Sequence, residues 1–273
     1  MESTKVETGK SHFLLVAASS RGARFFVKKA LLQGHSVTAL CRAADPAAAL
    51  ARMEDLLAGT TLTEGGLKPA ETPGKLTASN SNIFKAETFK KLLTEDPSIN
   101  ALCCFVGISD WKQMFKRENK LYTNTVSAIV EGMRQSRWVE TYYHGSSGSE
   151  GIPGQHRAEL PANYQPRCLL NLFFKLPVLV DYMASESLLA DAKVNGCQFV
   201  IFRPAFLTTK PAKRAYGRSQ DTTGMDKPEL PLRQTTMEIS REDVAEEILR
   251  MATLPPGERV DWHGHGVYLA DMK

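Results

Sequence analysis

The residues with the clearest chemical potential lie in a short polar segment from Ala17 to Arg24, between an apolar run and a helical pattern. The hydroxyl groups of Ser19 and Ser20 can donate to phosphate oxygens, and Arg21 adds a positive charge. A turn from a strand into a helix presents backbone N–H groups to an anion, and in open α/β sheets a dinucleotide pyrophosphate binds there. The alternatives are a nucleotide site and a turn that binds nothing, and these residue types favour the nucleotide site.

Glycine is scarce in this turn. The chain has 19 glycines, close to average usage, yet Gly22 is the only one between Lys10 and Gln33. A dinucleotide-binding turn normally uses three glycines: one for the tight turn, one for close approach to the pyrophosphate and one for helix packing. The missing glycines therefore bear on which ligand the turn binds, and they do not change the predicted position of the site.

Short apolar runs alternate with helical patterns over most of the chain. Strands are predicted at 12–18, 36–41, 75–79, 99–106, 138–143, 198–202 and 266–269, and helices at 24–33, 45–57, 86–93, 111–135, 177–194 and from 240. This repetition predicts an α/β fold with a doubly wound parallel sheet flanked by helices. Ligands of such sheets bind beyond the carboxyl ends of the strands, where the polar turn is expected to lie.

Composition and charge narrow the classes of function. With 34 Lys and Arg against 30 Asp and Glu, the net charge of +4 does not by itself indicate nucleic-acid binding. The most basic segment, with Lys210, Lys213, Arg214 and Arg218, is expected to be a solvated loop or part of an anion site. The five cysteines lack C-x-x-C spacing, which favours a reducing compartment without a disulfide framework or zinc site. We find no signal-peptide pattern and no apolar run of membrane-spanning length, so we expect a cytoplasmic protein without a membrane partner.

Several segments, taken in order, resemble the atypical short-chain dehydrogenases of the NmrA-like and flavin-reductase-like branch. The first is H-F-L-L-V-A-A-S-S-R-G-A-R, in which Ala17, Ser20 and Ala23 stand where that family has the glycines of G-A-T-G-x-x-G. The others are at 81–87 (S-N-I-F-x-x-E), 105–107 (F-V-G), 144–148 (H-G-S-S-G), 180–186 (V-D-Y-x-x-x-E), 202–207 (F-R-P-x-x-L) and 239–245 (I-S-R-E-D-V-A). The resemblance implies one NAD(P)-binding Rossmann-like domain over residues 1–273, with segments 145–176 and 207–239 facing a substrate.

The resemblance also implies NADP as the cofactor. Arg42 follows the second predicted strand, where NADP-using members place an arginine on the adenosine 2′-phosphate; an exposed strand-end arginine is the plain alternative. Asn82 stands in the place of an aspartate that contacts adenine. The full set of implied cofactor-binding residues is Ala17, Ser19, Ser20, Arg21, Gly22, Arg42, Asn82 and Gly107.

Ser147 and Tyr182 are the implied catalytic residues. In ordinary short-chain dehydrogenases a serine orients the carbonyl, a tyrosine donates the proton, and a lysine one turn later lowers the tyrosine pKa from about 10. Glu186 occupies the lysine position here, and a carboxylate opposes phenolate formation. We therefore expect Tyr182 to be a neutral hydrogen-bond donor and a poor general base. The alternatives are a partly buried helix aromatic for Tyr182 and a strand-end cap for Ser147, and we expect His144 to be structural.

Other candidate chemistries are weaker. His263 and His265 alternate near the last strand without an evident third ligand, so no metal site is expected. Cys103 and Cys104 lie in an apolar strand and are predicted to be core residues.

The leading hypothesis is an NADP(H)-dependent oxidoreductase that acts on a small organic substrate. Resemblance to fungal members of the branch, many of which belong to secondary metabolism, implies an aromatic or polyketide-like compound. Two alternatives use the same fold: a cofactor-independent isomerase, cyclase or dehydratase, and a regulatory protein that senses NADP and binds a partner.

Overall fold

The computed structural model describes residues 9–64, 69–108, 120–146, 151–152, 177–220, 236 and 238–272. Its strands, numbered in chain order, are β1 (His12–Val16), β2 (Ser36–Leu40), β3 (Leu76–Ser79), β4 (Ala101–Cys104), β5 (Glu140–His144), β6 (Phe199–Pro204), β7 (Phe206–Thr208), β8 (Tyr216–Gln220), β9 (Glu238–Ser240) and β10 (His265–Asp271). Its helices are α1 (Arg21–Leu32), α2 (Pro46–Ala58), α3 (Ala86–Glu95), α4 (Leu121–Arg134), α5 (Pro177–Lys193), α6 (Arg241–Thr253) and α7 (Pro256–Arg259), followed by a 3-10 turn at Val260–Trp262.

Eight strands form one sheet in the order β3-β2-β1-β4-β5-β6-β10-β8. The first six follow the order of a dinucleotide-binding sheet, and every pairing is parallel except that of β8 with β10. The predicted α/β fold with a doubly wound parallel sheet is therefore confirmed, and each strand predicted from the sequence is present. All parallel strands of this sheet end at one edge, the carboxyl edge.

The sheet is buried on both faces because its strands are apolar at successive positions. In β1, Phe13 and Leu15 pack on the side of α1 and α6, whereas Leu14 and Val16 pack on the side of α3, α4 and α5. Cys103 and Cys104 follow the same alternation in β4 and are fully buried, which confirms that they are core residues.

Helix ends agree with local sequence signals. Asp45 accepts a hydrogen bond from the N–H of Ala48 at 2.8 Å and so caps α2, as its position before Pro46 predicts. Gly34 follows the end of α1 with φ +83°, a conformation that favours glycine. Among the described residues, no helix is both long and apolar enough to cross a membrane.

The segment after β6 differs from the sequence expectation. No strand is predicted between residues 202 and 266, but the described part of the polar stretch there contains β7, which pairs with β9, and β8 at the sheet edge. Lys210 and Lys213 lie in the loop between β7 and β8 and are exposed, as predicted, whereas Arg218 lies within β8. Each of the four basic residues contacts a carboxylate. The pairs are Lys210 with Glu238, Lys213 with Asp271, Arg214 with Glu246, and Arg218 with Glu247.

Candidate functional site

The turn between β1 and α1 keeps the shape of a dinucleotide-binding turn without its glycines. Ala17 has φ 57°, a left-handed conformation that costs a residue with a side chain about 1–2 kcal/mol. Its carbonyl accepts from the N–H of Ser20 at 2.9 Å, and the N–H of Ala18 donates to Leu40 O at 3.0 Å. The tight turn therefore survives replacement of the first glycine by alanine.

Ser20 is the N-cap of α1. Its side-chain oxygen accepts from the N–H of Ala23 at 3.3 Å, which leaves the hydroxyl proton free to be donated. Gly22 lies in the first turn of the helix, outside the left-handed region, and an added Cβ would lie 3.5 Å from the Phe105 ring, an ordinary contact. The backbone at Gly22 thus does not require glycine.

Guanidinium groups gather at this end of α1. Arg21 is exposed, and Arg24 is half-buried with an Nε that has no hydrogen-bond partner. Burial, together with the positive charge of Arg21, lowers the pKa of Arg241, the first residue of α6. Within the described part of the chain none of these three arginines has an ion-pair partner. Sequence reasoning missed Arg241, although it lies in the I-S-R-E-D-V-A segment.

Arg42 lies at the same edge, two residues beyond the end of β2. It is exposed, and its carbonyl accepts from Nη1 of Arg52 at 2.8 Å. Its guanidinium has no ion-pair partner among the residues described here. The nearest following acid, Asp45, is used as the cap of α2.

Asn82 and Gly107 lie beyond the ends of β3 and β4. The Asn82 side-chain oxygen accepts from the N–H of Phe84 at 2.9 Å, and its carbonyl accepts from Thr88 Oγ1 at 2.8 Å, so Asn82 shapes the turn before α3. Gly107 is exposed, and an added Cβ would lie no closer than 3.9 Å to another residue. Both residues are therefore at the edge where the sequence put them.

Tyr182 is buried in a cluster of aromatic rings. Its ring stacks on Tyr122 with 3.6 Å between centroids, and Tyr143 lies 6.5 Å away. Burial, followed by the neighbouring Tyr122 and Tyr143, raises the pKa of Tyr182 well above its usual value. The hydroxyl therefore stays protonated at neutral pH.

Tyr122 was missed by sequence reasoning. Its hydroxyl oxygen accepts from the N–H of Ile108 at 3.1 Å, directly after Gly107. The buried carboxylate of Asp181 accepts from the N–H groups of Tyr122 at 2.8 Å and Thr123 at 3.0 Å, which caps α4 and fixes the stacked pair. The only sequence signal was Asp181 in the V-D-Y-x-x-x-E segment.

Glu186 does not act on Tyr182 as the sequence suggested, since the neighbouring tyrosines and burial are the causes of the Tyr182 pKa shift. Glu186 instead pairs with Arg203, with 2.7 Å between Oε2 and Nη2, and both side chains are fully buried. A Cβ at Gly266 would lie 2.2 Å from Nη1 of Arg203, so glycine is required where β10 passes this pair. The segments V-D-Y-x-x-x-E and F-R-P-x-x-L are thus joined in space.

His144 ends β5 and stacks on Phe105, with ring centroids 5.6 Å apart. Burial and then the charge of Arg241 lower the pKa of His144 to about 4, so the imidazole is neutral at pH 7. Ser147, the other residue implied as catalytic, lies outside the described residues, as does most of segment 145–176.

The described residues hold no cluster of three or more metal-ligating side chains. His263 lies 3.8 Å from a Glu140 oxygen, and the four described cysteines are buried and free.

No protein-family model matches the chain, and no curated protein matches it. Solved structures do. A short-chain dehydrogenase/reductase from Veillonella parvula in complex with NADP is 11% identical, with a TM-score of 0.63, and the match covers 96% of this chain and 95% of that one. The chain therefore has a Rossmann-like fold. A candidate NADH-flavin reductase from Streptococcus pneumoniae is 13% identical (TM-score 0.57; 96% and 99% covered), and a candidate NAD-dependent epimerase/dehydratase from Bacillus halodurans is 14% identical (TM-score 0.57; 96% and 94% covered).

Proposed function

We propose that this protein is an NADP(H)-dependent oxidoreductase of the atypical short-chain dehydrogenase type that acts on a small organic substrate. One observation carries the proposal: Ala17 adopts the left-handed conformation that a dinucleotide-binding turn usually gives to glycine. A strained alanine persists where the surrounding structure imposes it, and such strain concentrates at ligand sites. The solved structures with this fold include one in complex with NADP.

The residues around the turn fit a pyrophosphate. The first N–H groups of α1 have no intrahelical acceptor, and the macrodipole favours an anion at this end. Ser19 and Ser20 offer hydroxyl donors, while Arg21, Arg24 and Arg241 offer guanidinium groups that lack a carboxylate partner in the described chain. When bound, the nicotinamide would donate or accept a hydride, and the chain's own task is to hold and orient it.

NADP is favoured over NAD by the surroundings of Arg42. An exposed guanidinium beyond β2 suits a 2′-phosphate, because its planar donors match phosphate oxygens in pairs. An NAD-specific site would offer a carboxylate to the ribose hydroxyl, but Asp45 is already engaged with the N–H of Ala48. Asn82 keeps its amide nitrogen for an adenine, since its oxygen is used by Phe84.

The substrate would lie beyond β4 and β5, against segments 145–176 and 207–239. We assign Tyr182 the role of a neutral hydroxyl that orients a carbonyl together with Ser147, because its raised pKa prevents it from acting as a base at neutral pH. The aromatic or polyketide-like class of the substrate and a cytoplasmic location are part of this proposal and rest on the resemblance and the composition alone.

A second candidate function is a redox-neutral reaction or NADP sensing on the same fold. The observation that favours it is the Glu186 and Arg203 pair, which fills the place of the lysine that would activate Tyr182. Either alternative predicts no oxidation of NADPH by any carbonyl compound or flavin.

The direct test is titration of the full chain with NADPH and with NADH, followed by nicotinamide fluorescence. We expect NADPH to bind in the micromolar range and more tightly than NADH. Absence of binding of both at about 1 mM, the weak end of ordinary ligand affinities, would overturn the proposal. NADPH binding without turnover of flavins or quinones would select the second candidate.

A further inference from the structure

A cavity of about 670 Å³ lies at the edge of the sheet opposite the proposed dinucleotide site. Its walls come from the segments that enter β1, β4, β5 and β6 and from the chain that leaves α6. Small-molecule sites typically measure about 300–1,000 Å³, so the size suits an organic ligand. Nothing in the proposed oxidoreductase chemistry uses this edge.

The charges on its wall favour an anion. Lys10, Arg137 and Arg259 line the cavity, and Glu140 is the single carboxylate among the lining residues. The Glu140 carboxylate is engaged by Arg259 Nη1 and by the Tyr142 hydroxyl at 2.9 Å, so its charge is compensated within the wall. Two positive charges, those of Lys10 and Arg137, remain.

Neither remaining cation contacts a carboxylate. The Arg137 guanidinium donates to backbone carbonyls, including those of Leu93 and Asp96, each at 3.2 Å, which fixes its position. The Asp96 carboxylate interacts with Arg137 electrostatically, but the two form no ion pair in the described part of the chain. Lys10 is exposed and has no ion-pair partner in the described part of the chain. An anion in the cavity would gain from both charges at the low ionic strength of a binding assay.

The rest of the wall offers an aromatic surface. The half-buried indole of Trp138 lines the cavity with Leu254 and Pro255. Gly196, also in the wall, has φ +97°, a conformation that favours glycine. An added Cβ there would lie 3.6 Å from Cδ1 of Trp138, so glycine leaves this edge of the indole ring uncovered. Indole stacks on flat apolar groups, so the cavity combines an aromatic platform with positive charge.

We propose that this cavity, at the edge where the parallel strands begin, binds a small aromatic organic anion at a site separate from that of the dinucleotide. Lys10 and Arg137 attract its carboxylate, phosphate or sulfonate group, and Trp138 packs against its ring. The site holds a ligand and performs no chemistry.

The test uses 4-(trifluoromethyl)benzoate as the probe, with 19F line broadening and Trp fluorescence as readouts, and neutral 4-(trifluoromethyl)benzyl alcohol as its match. We expect the benzoate to bind at least about fivefold more tightly than the alcohol, a difference of about 1 kcal/mol, and more weakly as salt is raised. Failure of the benzoate to bind at about 5 mM, or equal binding of the alcohol, overturns the proposal.

Three variants locate the binding. Gln198→Trp should occupy part of the cavity and weaken binding, whereas Gln198→Ala should preserve it, because Gln198 is an exposed wall residue. Lys10→Glu should weaken the benzoate about fivefold and leave the alcohol unchanged. Lys85→Glu, at the carboxyl edge, should change neither. Retention of full benzoate affinity by both Gln198→Trp and Lys10→Glu would place the anion elsewhere and refute the site, whatever the result with NADPH.

Discussion

The carboxylate of Glu186 and the guanidinium of Arg203 form an ion pair inside the protein, with 2.7 Å between Oε2 and Nη2 and no exposed surface on either side chain. Arg203 Nε also donates to Glu186 Oε1 at 3.2 Å, and the N–H of Gly151 donates to Glu186 Oε2 at 2.8 Å. A buried charge needs its partner more than an exposed one does, because water cannot replace the lost contact. The pair therefore fixes α5, which carries Tyr182, against β6.

We predict that Glu186→Gln lowers the free energy of unfolding by about 3–5 kcal/mol, since Arg203 would be left buried without its counter-ion. The matched change Glu131→Gln removes an exposed partner of Arg134 and should lower the free energy of unfolding far less. Urea unfolding followed by circular dichroism measures both. Equal effects of the two substitutions would contradict the importance of burial.

Ala17→Gly should stabilise the protein by about 1 kcal/mol, because glycine adopts the left-handed conformation of this turn without strain. The same chemical change at Ala51, an exposed position in the middle of α2, should destabilise by roughly 0.5–1 kcal/mol. Opposite signs in thermal unfolding are the expected result. A destabilising Ala17→Gly would show that the turn has an ordinary conformation in solution.

His144 should make stability depend on pH between its unfolded pKa of 6.5 and its folded pKa of about 4. Below pH 6.5 the imidazole is protonated in the unfolded chain but not in the folded protein. The contribution of the neutral imidazole to the free energy of unfolding is therefore complete above pH 6.5 and falls by about 3 kcal/mol by pH 4. His144→Gln should remove this part of the pH dependence. Its effect on the free energy of unfolding at pH 8, where the imidazole is neutral in both states, is the reference for the comparison. Parallel curves for the two proteins from pH 6.5 to 4 would refute the neutral imidazole in the folded protein.

The sheet was predictable from the sequence because each central strand is buried on both faces. Phe13 to Val16 form an unbroken apolar run, which marks a parallel strand directly. The edge strand β8 was not predictable, since Y-G-R-S-Q has one neighbouring strand and little apolar character, and Arg218 within it is held by Glu247 on α6. A strand at the edge of a sheet has few buried positions, so its sequence shows only a weak pattern of apolar residues.

The candidate site was predictable only in part. Positions at strand ends place Ser20, Arg42 and Asn82 at one edge, because parallel strands share their direction. The stack of Tyr122 on Tyr182 joins residues that lie far apart in the sequence, so nothing local indicates it. The role of Glu186 was misjudged for the same reason, since its partner Arg203 lies on a different element.

In the proposed function, NADP is held at the carboxyl edge by the β1 turn and Arg42. The most direct measurement is the ratio of the Kd values for NADH and NADPH in the wild-type protein, in Arg42→Gln and in Arg134→Gln, a matched change of an exposed arginine on α4. We predict that Arg42→Gln weakens NADPH by about tenfold or more and leaves NADH nearly unchanged, because only NADPH carries the 2′-phosphate, while Arg134→Gln alters neither. An unchanged ratio in Arg42→Gln, or binding of neither nucleotide by the wild-type protein, would overturn NADP binding through Arg42 at this edge.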